Sequence, residues 1–138
     1  MLDQIAAPRF RADVPSAMTL RVTATAEATV VAVRGEIDLP VLGRLRTRLG
    51  DELDLAPRAL VLDLTEVTFC GAGGITELLV AASEAHVSGV PFAIAADGRA
   101  VLRPVRVLGL EQVLPIHRGV EAALAWLTVL PRLRESRR

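Results

Sequence analysis

The stretch Phe69-Cys70-Gly71-Ala72-Gly73-Gly74-Ile75 carries the strongest chemical signal in this chain, because glycines crowd the point where an apolar strand gives way to an apolar helix. Before it, Ala59-Leu60-Val61-Leu62-Asp63-Leu64 is a short, nearly continuous apolar run of the kind a fully buried strand shows. After it, Ile75, Leu78, Leu79, Ala82 and Ala85 recur at helical spacing. The first backbone N–H groups of such a helix have no intrahelical partner and lie at the positive end of its dipole. A turn of this kind attracts negative charge.

A glycine-rich strand-to-helix turn is also how phosphates are cradled, so a small nucleotide- or anion-binding module at Gly71 to Gly74 is one reading. The motif is incomplete for it. No Lys-Ser or Lys-Thr follows, as a P-loop requires, and Thr76 stands where the dinucleotide fingerprint needs glycine. Ser83 and His86 share one helical stretch without a third member, which gives a hydrolase little support. His86 and His117 have no neighbouring ligand at metal spacing, so no metal and no cofactor are expected. Cys70 could be activated by a helix N-terminus, but its position after Phe69 suggests a small, buried and inert side chain.

Composition limits what can hold this turn. A chain of 138 residues suits one domain, and 51% hydrophobic against 23% charged residues is ample for one core. With three Phe, one Trp and no Tyr, that core must be aliphatic. Sixteen basic residues, all Arg, cancel sixteen acidic ones, which leaves no overall basic excess for nucleic acid. A single cysteine excludes an intramolecular disulfide and fits a reducing cytosol. The N-terminus lacks a signal peptide's pattern and no apolar run approaches the ~20 residues of a membrane span, so a cytoplasmic protein without membrane contact is expected.

In chain order, residues 1–17 read as a leader. Thr19–Ala24 and Thr29–Arg34 read as an antiparallel pair of strands. Asp38 is placed to cap a helix that tolerates Pro40 in its first turn and turns Leu42, Leu45, Leu49 and Leu53 to one face. The arginines between them should face water. The helix after the central turn ends near His86 and Gly89, and Val90–Ala95 is a further strand. A short helix follows with Val101, Val105 and Leu108 on one side, although Pro104 casts doubt on its first half. Val113–Ile116 reads as a last strand, and a closing helix from about Gly119 should end at Pro131. The domain should span 18–128, followed by a basic tail at 129–138. This order implies an α/β fold: a mostly parallel sheet of about four or five strands with an antiparallel N-terminal strand, covered by about four helices.

Taken together, Gly35-Glu36-Ile37-Asp38, Val61-Leu62-Asp63-Leu64, Val67-Thr68-Phe69, Gly74-Ile75 and Leu108-Gly109-Leu110 resemble, in order and spacing, the STAS domains of bacterial anti-sigma factor antagonists. The resemblance implies a STAS-like single domain that binds a kinase-like anti-sigma factor, frees a sigma factor and catalyses nothing. It places the partner surface at Glu36, Ile37, Asp38, Cys70, Gly71, Ala72, Gly73 and Gly74. The family's turn reads Asp-Ser-Ser-Gly, and its first serine accepts phosphate from the partner kinase; the matching residues here are Gly71-Ala72-Gly73-Gly74, with Ala72 at the acceptor position. A methyl group cannot be phosphorylated, and Thr68 and Thr76 are poorly placed substitutes. STAS-like domains also serve as scaffold subunits that bind other STAS-domain proteins in sensory complexes, which stays open as a second role.

Overall fold

Alternation builds the first hairpin. In β1 (Met18–Ala24) and β2 (Thr29–Ile37), Met18, Val31, Val33 and Ile37 are buried between more exposed neighbours. The two strands run antiparallel with Met18 opposite Gly35 and Ala24 opposite Thr29. Thr25 closes the turn: its hydroxyl donates to the Ala28 carbonyl and accepts from the Ala28 and Glu27 amides. The computed structural model describes residues 18–136, with side chains in the last helix as far as Val129, so the leader expected at 1–17 lies outside the described residues.

The chain continues through α1 (Leu42–Asp54), β3 (Leu60–Cys70), α2 (Ala72–Ser88), β4 (Phe92–Ala95), α3 (Arg99–Val107), β5 (Ile116–His117) and α4 (Val120–Ser136). The sheet has the order β1-β2-β3-β4-β5, and every pair after the first is parallel. This is the α/β architecture anticipated above. Parallel crossovers of this kind place helices on the faces of the sheet. One face packs against α1, α2 and α3 through Leu45, Leu49, Ile75, Leu78, Val101 and Val105. The other holds a smaller core in which Ala123 and Leu127 of α4 meet Val61, Ala93 and Ala95. The alanines let α4 lie close to the strands.

β3 is the least regular strand. Between Ala32 and Arg34 of β2 and again between Gly35 and Glu36, the pairing register slips, and each slip gives β3 one extra residue. Bulges of this kind bend a strand and re-aim its side chains. Leu64, Val67 and Cys70, spaced by three, therefore all face the core, while Thr68 and Phe69 turn outward. Gly35 accommodates the bend with a φ of 97°, a value disfavoured for residues with a β-carbon.

Several boundaries differ from the sequence reading. β2 extends to Ile37 and β3 to Cys70, because the bulges let the pair continue. The last strand is only Ile116–His117; Val113 and Leu114 instead donate their amides to the Leu110 carbonyl in a helical turn. α3 runs through Pro104 from Arg99. α4 does not stop at Pro131 but continues to Ser136, at the cost of the hydrogen bond that residue cannot donate. No helix among the described residues is long and apolar enough to cross a membrane.

Candidate functional site

Two helix starts meet at the carboxyl ends of β2 and β3. The Gly71 amide donates to the Ile37 carbonyl at 3.0 Å, which fastens the start of α2 to the end of β2. Asp38 follows in an extended conformation, and its Oδ1 accepts the Leu39 amide at 2.8 Å, capping a 3-10 turn over Leu39–Val41 that leads into α1. The proposed capping role of Asp38 is thus realised, with Pro40 in the first turn where a missing donor costs little.

Gly71 is the N-cap of α2, without a side-chain cap, and Ala72 is its first helical residue. The Ile75 amide is bonded to the Gly71 carbonyl, so the amides of Ala72, Gly73 and Gly74 precede the first intrahelical bond and are the orphan donors of this helix. Asp38 stands beside them: a β-carbon added at Gly71 would lie 3.6 Å from its Oδ1 and 3.5 Å from Phe69 Cε2. Both are ordinary contacts, so nothing steric demands glycine at 71. A carboxylate there would instead crowd that of Asp38. Asp38 already supplies the negative charge favoured at a helix start.

The other two glycines are packed closely. A β-carbon at Gly73 would fall 2.6 Å from Leu42 Cδ1, a flexible side-chain end that could swing away. At Gly74 it would fall 2.8 Å from both Cys70 Sγ and Ile37 Cγ2, atoms of a buried cysteine and a β-branched strand residue. Gly74→Ala should therefore destabilise the protein by about 1–3 kcal/mol, despite the gain of up to ~1 kcal/mol in helix propensity. Urea melting measures this, and an unchanged midpoint would show that α2 is not held this close to the sheet.

The structure divides the anticipated partner-binding residues into two layers. Glu36, Asp38 and Ala72 are exposed, and Gly71 and Gly73 are half-buried between them. Ile37, Cys70 and Gly74 lie beneath, at 0%, 6% and buried respectively, and present no side chain to a partner; they support the surface from below. Burial pushes the Cys70 thiol up to about 11, so the neutral thiol persists at neutral pH and the redox reading loses its chemical basis. The Thr76 hydroxyl is turned back onto the Ala72 carbonyl at 3.2 Å.

Two large apolar side chains were missed. Leu39 is 75% exposed and Phe69 47% exposed. Leu39 Cδ2 would be 3.7 Å from a β-carbon at Gly73, and Phe69 reaches Gly71, so they flank the turn on its two sides. Leu39 sits in a capped turn held off the core, and Phe69 is turned out by the bulge. The site is braced by Arg46 of α1, which forms a forked pair with the buried Glu77 of α2 through Nε–Oε1 at 3.0 Å and Nη2–Oε2 at 2.6 Å. The hydrogen bond first, and the charge of Glu77 second, hold the guanidinium above its usual pKa. Among the described residues no cluster of His, Cys, Asp and Glu could hold a metal ion.

The family described as Mlab, STAS domain, matches residues 20–116. The anti-sigma-F factor antagonist RsfB of Mycobacterium tuberculosis is 32% identical over 110 residues, which cover 80% of this chain and 89% of that protein. RsfA of the same organism, also an anti-sigma-F factor antagonist, is 29% identical over 119 residues, covering 84% and 92%. The crystal structure of an anti-sigma factor antagonist from Mycobacterium paratuberculosis superposes with a TM-score of 0.77 at 30% identity, covering 83% of this chain and 97% of the other. Matched by the family over residues 20–116 and by anti-sigma factor antagonists of 30–32% identity across most of both chains, the chain belongs to the STAS-domain family of anti-sigma factor antagonists.

Proposed function

We propose that this protein binds a kinase-like anti-sigma factor in the cytoplasm, through Glu36, Asp38, Leu39, Phe69 and the Gly71–Gly73 turn, and so frees a sigma factor without catalysing a reaction itself. The observation that carries this reading is the exposed methyl of Ala72 on the first residue of α2, beside Asp38 and between two exposed apolar side chains. A phosphate at that residue would add roughly −1.5 to −2 charges to the centre of the surface, held by the orphan amides and opposed by a docked partner. Ala72 has no oxygen to accept one. The complex is therefore not dissolved by modification at this residue, and the protein acts as a constitutive antagonist. A nucleotide ligand fits the turn less well, because Glu36 and Asp38 place negative charge where its phosphates would lie.

The test is a pull-down of the wild-type protein from extract of its own cells with ATP present. A kinase-like anti-sigma factor should be retained, and its loss on adding ATP would overturn the reading. Recovery of other STAS-domain proteins alone would assign the chain to a scaffold. Ala72→Ser, incubated with the recovered kinase and ATP, is expected to gain one phosphate by mass spectrometry and then to release the partner. An unmodified Ala72→Ser would mean that Gly71, in place of the family's acid, has removed kinase recognition as well.

A further inference from the structure

The zero net charge conceals a segregation of charge. Residues 97–138 contain eight arginines against four acidic residues, and residues 1–96 contain eight against twelve. Four of the six arginines in residues 18–96 are engaged: Arg34 with Glu66, Arg46 with Glu77, Arg48 with Glu52, and Arg44 with the Met18 carbonyl. Arg99, Arg103, Arg106 and Arg118 are all exposed, and none pairs with a carboxylate among the described residues.

Three of them sit at positions i, i+4 and i+7 of α3, on the side away from the buried Val101 and Val105. This is costly for the helix. Like charges at such spacing repel, and Arg99 occupies the first turn, at the positive end of the dipole, where an acidic residue would stabilise. Local rules broken without a packing gain are a mark of a functional surface. Beside this stripe runs a groove of about 410 Å³, floored by Leu102 and Ile116 and bordered by Arg99, Arg106 and Arg118, with the Asp97 carboxylate at its rim. Its far wall is β5, which pairs with β4 on one side only and ends the sheet. His117 turns its ring to Trp126 at 5.0 Å, on the opposite side of the strand from the core-facing Ile116.

We propose that the groove between α3 and the β5 edge binds an extended acidic segment of a partner protein. Such a segment lies in extended form beside the two-residue β5 edge, whose Ile116 amide is already bonded to the Leu114 carbonyl, and is held mainly by its carboxylates against the arginine stripe. The spacing of charge favours this occupant over a small anion. Arg99 and Arg106 are seven helix positions apart, roughly 10 Å along the axis, whereas alternate residues of a strand repeat every ~6.5–7 Å. A single phosphate does not span the stripe; two or three carboxylates on one strand do. The aromatic side chain that lines the groove, His117, is half-buried and turned to Trp126, so it offers little open face on which nucleobases could stack. This proposal is independent of the partner assigned to the Ala72 surface, which lies two strands away in the sheet order.

The experiment uses the full chain and a fluorescent peptide of alternating Glu and Val, read by anisotropy. Saturable binding is expected, weakened at least about tenfold by the double variant Arg99→Glu with Arg106→Glu, as removal of steering and paired charge should do. The melting temperature of that variant should be nearly unchanged, because Arg99→Glu relieves the clash at the start of α3 and the repulsion along it, while Arg106→Glu gives up a favourable charge in the last turn. A merely structural role for these arginines would move both readouts downward together. Equal peptide affinity in wild type and variant overturns the proposal. So does tighter binding of inorganic phosphate or of a single-stranded RNA oligonucleotide than of the peptide.

Discussion

Ile37→Ala should lower the stability of this protein by about 2–5 kcal/mol, the range for removing most of a fully buried aliphatic side chain. Ile37 is 0% exposed, and its Cγ2 closes the space above Gly74, so truncation opens a cavity between the end of β2 and the start of α2. Against a total stability of ~5–15 kcal/mol this is a large fraction, and the urea midpoint should fall at constant slope. Affinity for the anti-sigma partner, referred to the folded fraction, should change little, because Ile37 supports the surface without belonging to it. A second variant sharpens the test. Gly74→Ala is destabilising alone because its methyl meets both Ile37 Cγ2 and Cys70 Sγ at 2.8 Å; Ile37→Ala removes the first contact and opens space into which the methyl can shift away from the second. The double variant should be more stable than the two single effects predict, by about 0.5–3 kcal/mol of coupling. Strict additivity would mean that the two residues do not compete for one volume.

The Ile37 result marks what could be seen in the sequence. The turn at Gly71–Gly74, the cap at Asp38 and the aliphatic faces of α1 and α2 follow from local rules: glycine at a strand-to-helix junction, an acid before proline, and leucines at helical spacing. The layering of the site was not legible. Ile37 continues the inward alternation of Val31 and Val33, but the sequence reading ends that strand at Arg34, and only the pairing of β2 with β3 carries it on to Ile37. The bulges in β3 are a property of two strands at once. They change the inward period from two to three over Leu64, Val67 and Cys70, a pattern that no single-strand template would fit, and they expose Phe69. A hydrophobic residue beyond the regular alternation is the one signal that could have marked it. β5 escaped for a similar reason. Two residues have no period, and that strand exists because Ile94 of β4 and Ala96 just beyond it donate their amides to the carbonyls of Pro115 and His117.

Leu39→Asp with Phe69→Asp should abolish the contact with the anti-sigma partner while leaving the fold intact. Apolar groups at 75% and 47% exposure contribute little to the core, so their loss should cost only a few tenths of a kcal/mol. At an interface the same exposure becomes a gain, since each side chain would be buried against the partner on either side of the Gly71–Gly73 turn. Central aromatic and aliphatic anchors of this kind cost about 2 kcal/mol or more each when truncated, so Ala at both positions should weaken binding by roughly 10²- to 10³-fold. Aspartate should do more, because the charge would be buried beside Glu36 and Asp38 and repel whatever complements them. Titration calorimetry with the recovered anti-sigma factor measures the affinity, and thermal melting of the free protein checks the fold. If the double aspartate variant binds as tightly as wild type, the partner docks elsewhere and the exposed Ala72 surface is not its site. If binding and melting temperature fall together, Leu39 and Phe69 are structural after all. Loss of affinity with an unchanged melting temperature would assign the recognition energy to the two residues that frame an acceptor position without an acceptor, and would explain how the surface can keep its partner after losing its switch.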